Sequence, residues 1–119
     1  MATFRKLVVW QRAFTLCIGV YGLTDNFPIQ ERYGLVAELR KTARSVVYNI
    51  AEGHRRASAK DFARFLAIAH GSAAELETQF LISESLGYLQ IGDTAKLLSQ
   101  LDEICRMLVG LKASLKFSG

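Results

Sequence analysis

The chain has 119 residues, half of them apolar and 22% charged, with one Pro and a formal net charge of +4. That length supports one domain spanning residues 1–119, since a single core at this size buries roughly two-thirds of the unfolded surface. The composition excludes a disordered chain, and no window approaches eighteen unbroken apolar residues, which excludes a membrane span.

The amino-terminal residues lead straight into an amphipathic pattern without a small-residue cleavage site, so a soluble, cytoplasmic protein is expected. Apolar residues recur with helical period throughout and nowhere with period two, which predicts an all-α fold. The first helix is predicted over about Leu7 to Leu23. Its inner seam is Trp10, Phe14, Cys17 and Tyr21, and Thr24 to Pro28 breaks it. Pro28 then suits the first turn of a second helix, from about Gln30 to Glu52, with Val36, Leu39, Ala43, Val46 and Ile50 inside and Gly53 as its stop. Ser58 and Asp61 form a capping pair at the start of a third helix. Phe62, Phe65, Ala69, Ala73, Leu76 and Phe80 line it, and Gly87 ends it just past Leu86. The fourth helix is predicted to begin at Asp93, its seam formed by Leu97, Leu101, Ile104, Leu108, Leu111 and Leu115 and widened by Leu98 and Cys105.

Short connections between long helices force antiparallel neighbours, so the expected architecture is an up-down-up-down four-helix bundle. That topology gathers Arg5, Lys6, Arg55, Arg56, Lys60, Lys112 and Lys116 at one pole against Glu52 and Asp61. The opposite pole sets Asp25, Glu31, Glu84 and Asp93 against Arg32 and Lys96. The charge is therefore expected to be polarised along the molecular axis.

Enzyme chemistry finds no support in the spacing. Di-iron bundles need Glu and His at i and i+3, and neither His54 nor His70 has a Glu three residues earlier. There is no zinc-protease, phosphate-loop or serine-hydrolase motif, so no catalytic residue, metal site or cofactor is assigned. His70 is expected to be a packed or interfacial neutral side chain, and Cys17 and Cys105 are expected to be buried free thiols. Asn49, Glu52, Ser72, Glu75 and Gln79 interrupt otherwise apolar helix faces. A structural polar network between neighbouring helices is the preferred reading, with Arg40, Arg44 or Arg64 supplying donors, and a ligand site on Asn49, Glu52 and Glu75 is the alternative.

Between residues 40 and 64 stand seven basic side chains, Arg40, Lys41, Arg44, Arg55, Arg56, Lys60 and Arg64, and only two acidic ones. A phosphate backbone is bound by a surface of that sign, because neutralising phosphates releases condensed counterions. The isoelectric point near 9.3 agrees with RNA or DNA as a partner. No base-reading motif is present, so low sequence specificity is expected. A solvated helix face with internal ion pairs is the plainer reading of the same run, and a membrane partner is not expected.

Several words occur in a specific order: Val9-Trp10-Gln11, Phe27-Pro28, Glu31-Arg32-Tyr33-Gly34-Leu35, Leu39-Arg40-Lys41, Asn49-Ile50-Ala51-Glu52-Gly53 and Leu86-Gly87-Tyr88-Leu89. In that order they resemble the four-helix-bundle proteins encoded in intervening sequences of bacterial 23S rRNA genes, a family without an assigned activity. The resemblance extends to the accessory variability proteins of diversity-generating retroelements. It implies four-helix protomers in a ring-like homo-oligomer, a homopentamer, with a basic surface facing nucleic acid. Phe4, Leu7, Val8, Phe65 and Ile68, partly outside the assigned seams, are candidate protomer contacts. Val47 stands where family members often carry Pro, so a kink in the second helix is not expected, and His70 replaces a common Leu. The function expected is a non-enzymatic, nucleic-acid-binding accessory factor, with a protein-interaction scaffold as the alternative.

Overall fold

The computed structural model of the chain describes residues 3–115, and among these it contains four α-helices and no strand. They are α1 (Val8–Thr24), α2 (Leu35–His54), α3 (Ala59–Ser85) and α4 (Ile91–Ser114), with short 3-10 turns at Phe4–Lys6 and Ile29–Glu31. Helix α2 packs most extensively on α3, while α1 lies against α2 and α4, and α3 against α4. The body is elongated, 49 × 23 × 22 Å.

The inner stripe predicted for α2 is buried throughout, from Val36 to Ile50, as are Ala69, Ala73, Leu76 and Phe80 of α3 and Leu97, Leu101, Ile104 and Leu108 of α4. Leu111 and Leu115 pack against this core from its edge, with Leu98 and Cys105. Val47 sits inside continuous helix, without the break that a Pro at this position would bring.

Helix α1 differs from expectation. Its core positions are Val9, Ala13, Leu16, Cys17, Val20 and Thr24, whereas Phe14 is exposed and Trp10 and Tyr21 are half-buried. Two stripes with the same three-four spacing coexist on this helix. The smaller aliphatic one faces both neighbours, and the larger aromatic one is left at the edge.

The start of α2 lies later than predicted. Pro28 opens the 3-10 turn, not α2, and Gly34 adopts φ −105°, ψ −110°, outside helical space. Glu31 then caps the helix from upstream, its Oε1 accepting the Leu35 N–H at 3.2 Å. Gly53 does not stop α2. It lies within the helix, where an added Cβ would stand 2.7 Å from Phe65 Cβ and 3.0 Å from Phe62 Cδ1, so its role is to admit α3. Ser58 caps α3 by accepting the Asp61 N–H at 3.1 Å, and the Asp61 carboxylate turns toward Arg64, 3.8 Å away. Gly87 ends α3 with φ +80°, and the N–H groups of Tyr88 and Gly87 donate to the Ser83 and Glu84 carbonyls, the paired bonds of a Schellman cap. Helix α4 starts at Ile91 after Gln90, which places Asp93 within the first turn, where its charge favours the helix dipole, and not at the cap.

Candidate nucleic-acid interface

The seven basic residues fall into two groups. Arg40 and Arg44 turn toward α1. Arg40 donates through Nε to Thr24 Oγ1 at 2.9 Å and through Nη2 to the Tyr21 carbonyl at 3.2 Å and Asp25 Oδ1 at 3.0 Å, with its guanidinium 4.6 Å above the Tyr21 ring. Arg44 donates to the Tyr21 hydroxyl at 2.6 Å, and that bond pushes its pKa upward. Lys41 is exposed on another side, at a polar cavity of about 360 Å³ shared with Glu38, Ser45, Ser72 and Gln79. At about 1.5 Å per residue, Arg40 and Arg55 are separated by roughly 22 Å of helix.

The second group surrounds the α2–α3 turn. Arg56 pairs with Glu52 at 3.0 Å, one helical turn back, while Arg64 stands near Asp61. Both guanidiniums lie over the Phe65 ring, at 4.7 and 4.6 Å from its centroid. Each cation–ring contact contributes about 0.5–1 kcal/mol at an exposed site. Arg55 and Lys60 are exposed and make no ion pair among the described residues. The turn thus presents four cations with only Glu52 and Asp61 beside them. Exposed Arg5, Lys6 and Lys112 were expected at the same pole, as was Lys116, which lies outside the described residues.

The polar residues of the helices separate by contact. Ser45 and Ser72 hydroxyls meet at 2.8 Å across α2 and α3, and Asn49 Nδ2 donates to the Ser45 carbonyl at 2.8 Å and to its hydroxyl at 3.1 Å. Gln79 Nε2 donates to Thr42 Oγ1 at 3.0 Å, and the Thr42 hydroxyl donates to the Glu38 carbonyl. Glu52 belongs to Arg56 and the turn, and Glu75 is exposed. None of Arg40, Arg44 and Arg64 supplies a donor to this group, because each is engaged with α1 or with the turn. Ser45 and Thr42 escaped the sequence reading, since short hydroxyls on a helix give no periodic signal. His70 is exposed on α3 and not packed.

Both cysteines are free, with Cys17 buried and Cys105 half-buried. Burial pushes both thiols up, opposed at Cys17 by Arg44 and reinforced at Cys105 by Asp102 and Glu77. No helix is long and apolar enough to cross a membrane, and no group of three or more metal-capable side chains occurs among the described residues.

A crystal structure of a protein of unknown function from the S23 ribosomal protein family of Bacteroides thetaiotaomicron superposes with a TM-score of 0.83, covering 90% of this chain and 96% of that one at 18% identity. At that identity the likeness speaks to the fold alone. No curated protein matches the sequence. The model of the family described as 23S rRNA-intervening sequence protein matches residues 5–110, nearly the whole helical body and the basic turn within it, and the chain belongs to that family.

Proposed function

We propose that the protein is a non-enzymatic bundle protein that binds RNA or DNA with low sequence specificity, acting as an accessory factor through the α2–α3 turn. The observation that carries this is the pair of exposed cations without acidic partners, Arg55 and Lys60, flanked by Arg56 and Arg64 on Phe65. A turn between helices projects from the body, so its side chains reach a phosphate backbone without a groove. An up-down-up-down course of the helices is part of this reading. Tyr21 beside Arg44 and Asp25 beside Arg40 support it for α1 and α2, as do Thr42 beside Gln79 and Ser45 beside Ser72 for α2 and α3. It sets the turn at one pole with Arg5, Lys6 and Lys112.

The protomers are proposed to assemble into a ring, a pentamer by family resemblance, so that weak phosphate contacts act together through effective concentration. Exposed apolar side chains off the core, among them Val8, Ile18, Ile68 and Val109, supply area for protomer contacts. A monomer at all concentrations by light scattering contradicts the ring. Those same side chains favour the second reading, a protein-interaction scaffold without nucleic-acid binding. Arg55→Glu with Lys60→Glu separates the two. The double variant is expected to lose RNA and DNA binding while keeping its assembly state, and unchanged binding overturns the assignment to the turn.

A further inference from the structure

A separate feature runs along the edge of α1. The Phe4 and Trp10 rings have centroids 5.2 Å apart at 60°, and Trp10 and Phe14 lie 5.1 Å apart at 28°. Phe14, at the end of this ladder, is 45% exposed. Aromatic side chains of that size normally enter a core, but Val9, Ala13 and Leu16 occupy the interior positions of α1.

The charge near the ladder is predominantly basic, with Glu52, paired to Arg56, the acidic side chain at its level. Helix α1 carries no acidic residue. Exposed Arg5 and Lys6 follow Phe4 in the 3-10 turn, which Gln11 clamps by donating through Nε2 to the Arg5 carbonyl at 2.7 Å. Two turns beyond the ladder, Arg44 is held at Tyr21. Tyr21 meets Arg44 and Asp25 meets Arg40, so advancing along α1 corresponds to retreating along α2. Carried to the start of α1, that register brings Trp10 level with Arg55.

We infer that the ladder is a stacking platform for unpaired bases, and that the nucleic acid this protein takes is single-stranded. The inference rests on the nucleic-acid reading above and adds the strand type. Single strands expose the faces of their bases, which stack on aromatic rings whatever the sequence, while a duplex keeps those faces inside. Phosphates would follow Arg5, Lys6 and Arg55 beside the rings. A second copy of the chain is the competing occupant, since Phe4 is also a candidate protomer contact, and the measurements below separate the two.

Trp10 is the sole tryptophan, so its emission reports stacking directly. Labelled oligo(dT), oligo(U) and a mixed-sequence duplex of the same length are titrated at low salt, following anisotropy and Trp10 emission together. The single strands are expected to quench Trp10 in step with the anisotropy rise, and the duplex to bind about tenfold more weakly and without quenching. Phe14→Ala and Phe14→Leu are each expected to weaken single-strand binding by about tenfold, and the Leu variant separates ring stacking from apolar area. Phe14 is half in solvent, and thermal melts verify that both variants fold. Binding by anisotropy with unchanged emission and unaltered affinity of the Phe14 variants overturns the platform and leaves the basic turn standing. No binding to any probe overturns both. A change of mass by light scattering in Phe14→Ala, with single-strand affinity intact, assigns the ladder to contact between copies and overturns the inference as well.

Discussion

Gly53 is where a single hydrogen decides the approach of two helices. Helix propensity alone favours Gly53→Ala by about 1 kcal/mol. The new methyl, however, would meet Phe65 Cβ at 2.7 Å, and Cβ cannot swing away as a side-chain tip can. The α2–α3 contact must open, which costs about 1–3 kcal/mol, so the variant is expected to be destabilised in urea unfolding and to weaken binding through the displaced turn. At the cysteines, burial raises both thiol pKa values and lowers the thiolate fraction at neutral pH. Cys17 and Cys105 are therefore expected to react slowly with a disulfide reagent in the native protein and rapidly once guanidinium unfolds it. Equal rates in both states would contradict the packing of Cys17 in the core. The basic residues carry a related lesson. Their sum was readable, but not that Tyr21 engages two of them from nineteen and twenty-three residues away in sequence, because such pairing is set by the fold.

Among the elements, the ends of α2 and α3 depend on particular side chains. Glu31 accepts both the Leu35 N–H and, through Oε2, the Tyr88 hydroxyl at 2.9 Å, tying the α1–α2 and α3–α4 connections together. Glu31→Ala is expected to cost about 1 kcal/mol, the magnitude of a lost helix cap, measured by chemical denaturation. The bond to Glu31 raises the Tyr88 pKa above its ordinary value of 10.0. The proton thus binds the folded state more tightly, so this contribution is complete below about pH 10 and is lost as pH rises through the folded value. The wild type should therefore lose stability above pH 10 more steeply than Tyr88→Phe, which has no phenol to ionise. Gly87→Ala forces an L side chain to φ +80° and is expected to cost about 1–2 kcal/mol. Gly87 and Ser58 were legible because each has a local chemical reason to sit where it does. The stripe of α2 was legible because its polar and apolar faces differ sharply. Helix α1 misled because both of its faces are apolar, so period alone left two phases and only the neighbours could choose between them. Gly53 misled because a glycine at a helix end and a glycine at a helix contact look alike until the second helix is placed.

At the scale of the whole molecule, the four helices and the family are established, and the proposed function turns on whether the basic side chains of the α2–α3 turn are available. Two of the turn's four cations have carboxylates nearby, but these pairs are exposed, and exposed pairs contribute only about 0–1 kcal/mol, so a phosphate competes for them readily. Arg55 and Lys60 need no such exchange. The most direct measurement is a fluorescence-anisotropy titration of the purified protein against short single-stranded RNA and duplex DNA across a salt series. Micromolar or tighter binding that weakens steeply with salt is expected, with a logarithmic slope that counts the phosphates neutralised and falls by roughly one to two when Arg55 and Lys60 are reversed. Absence of binding even at low salt would contradict the account and leave the bundle as a scaffold for another protein.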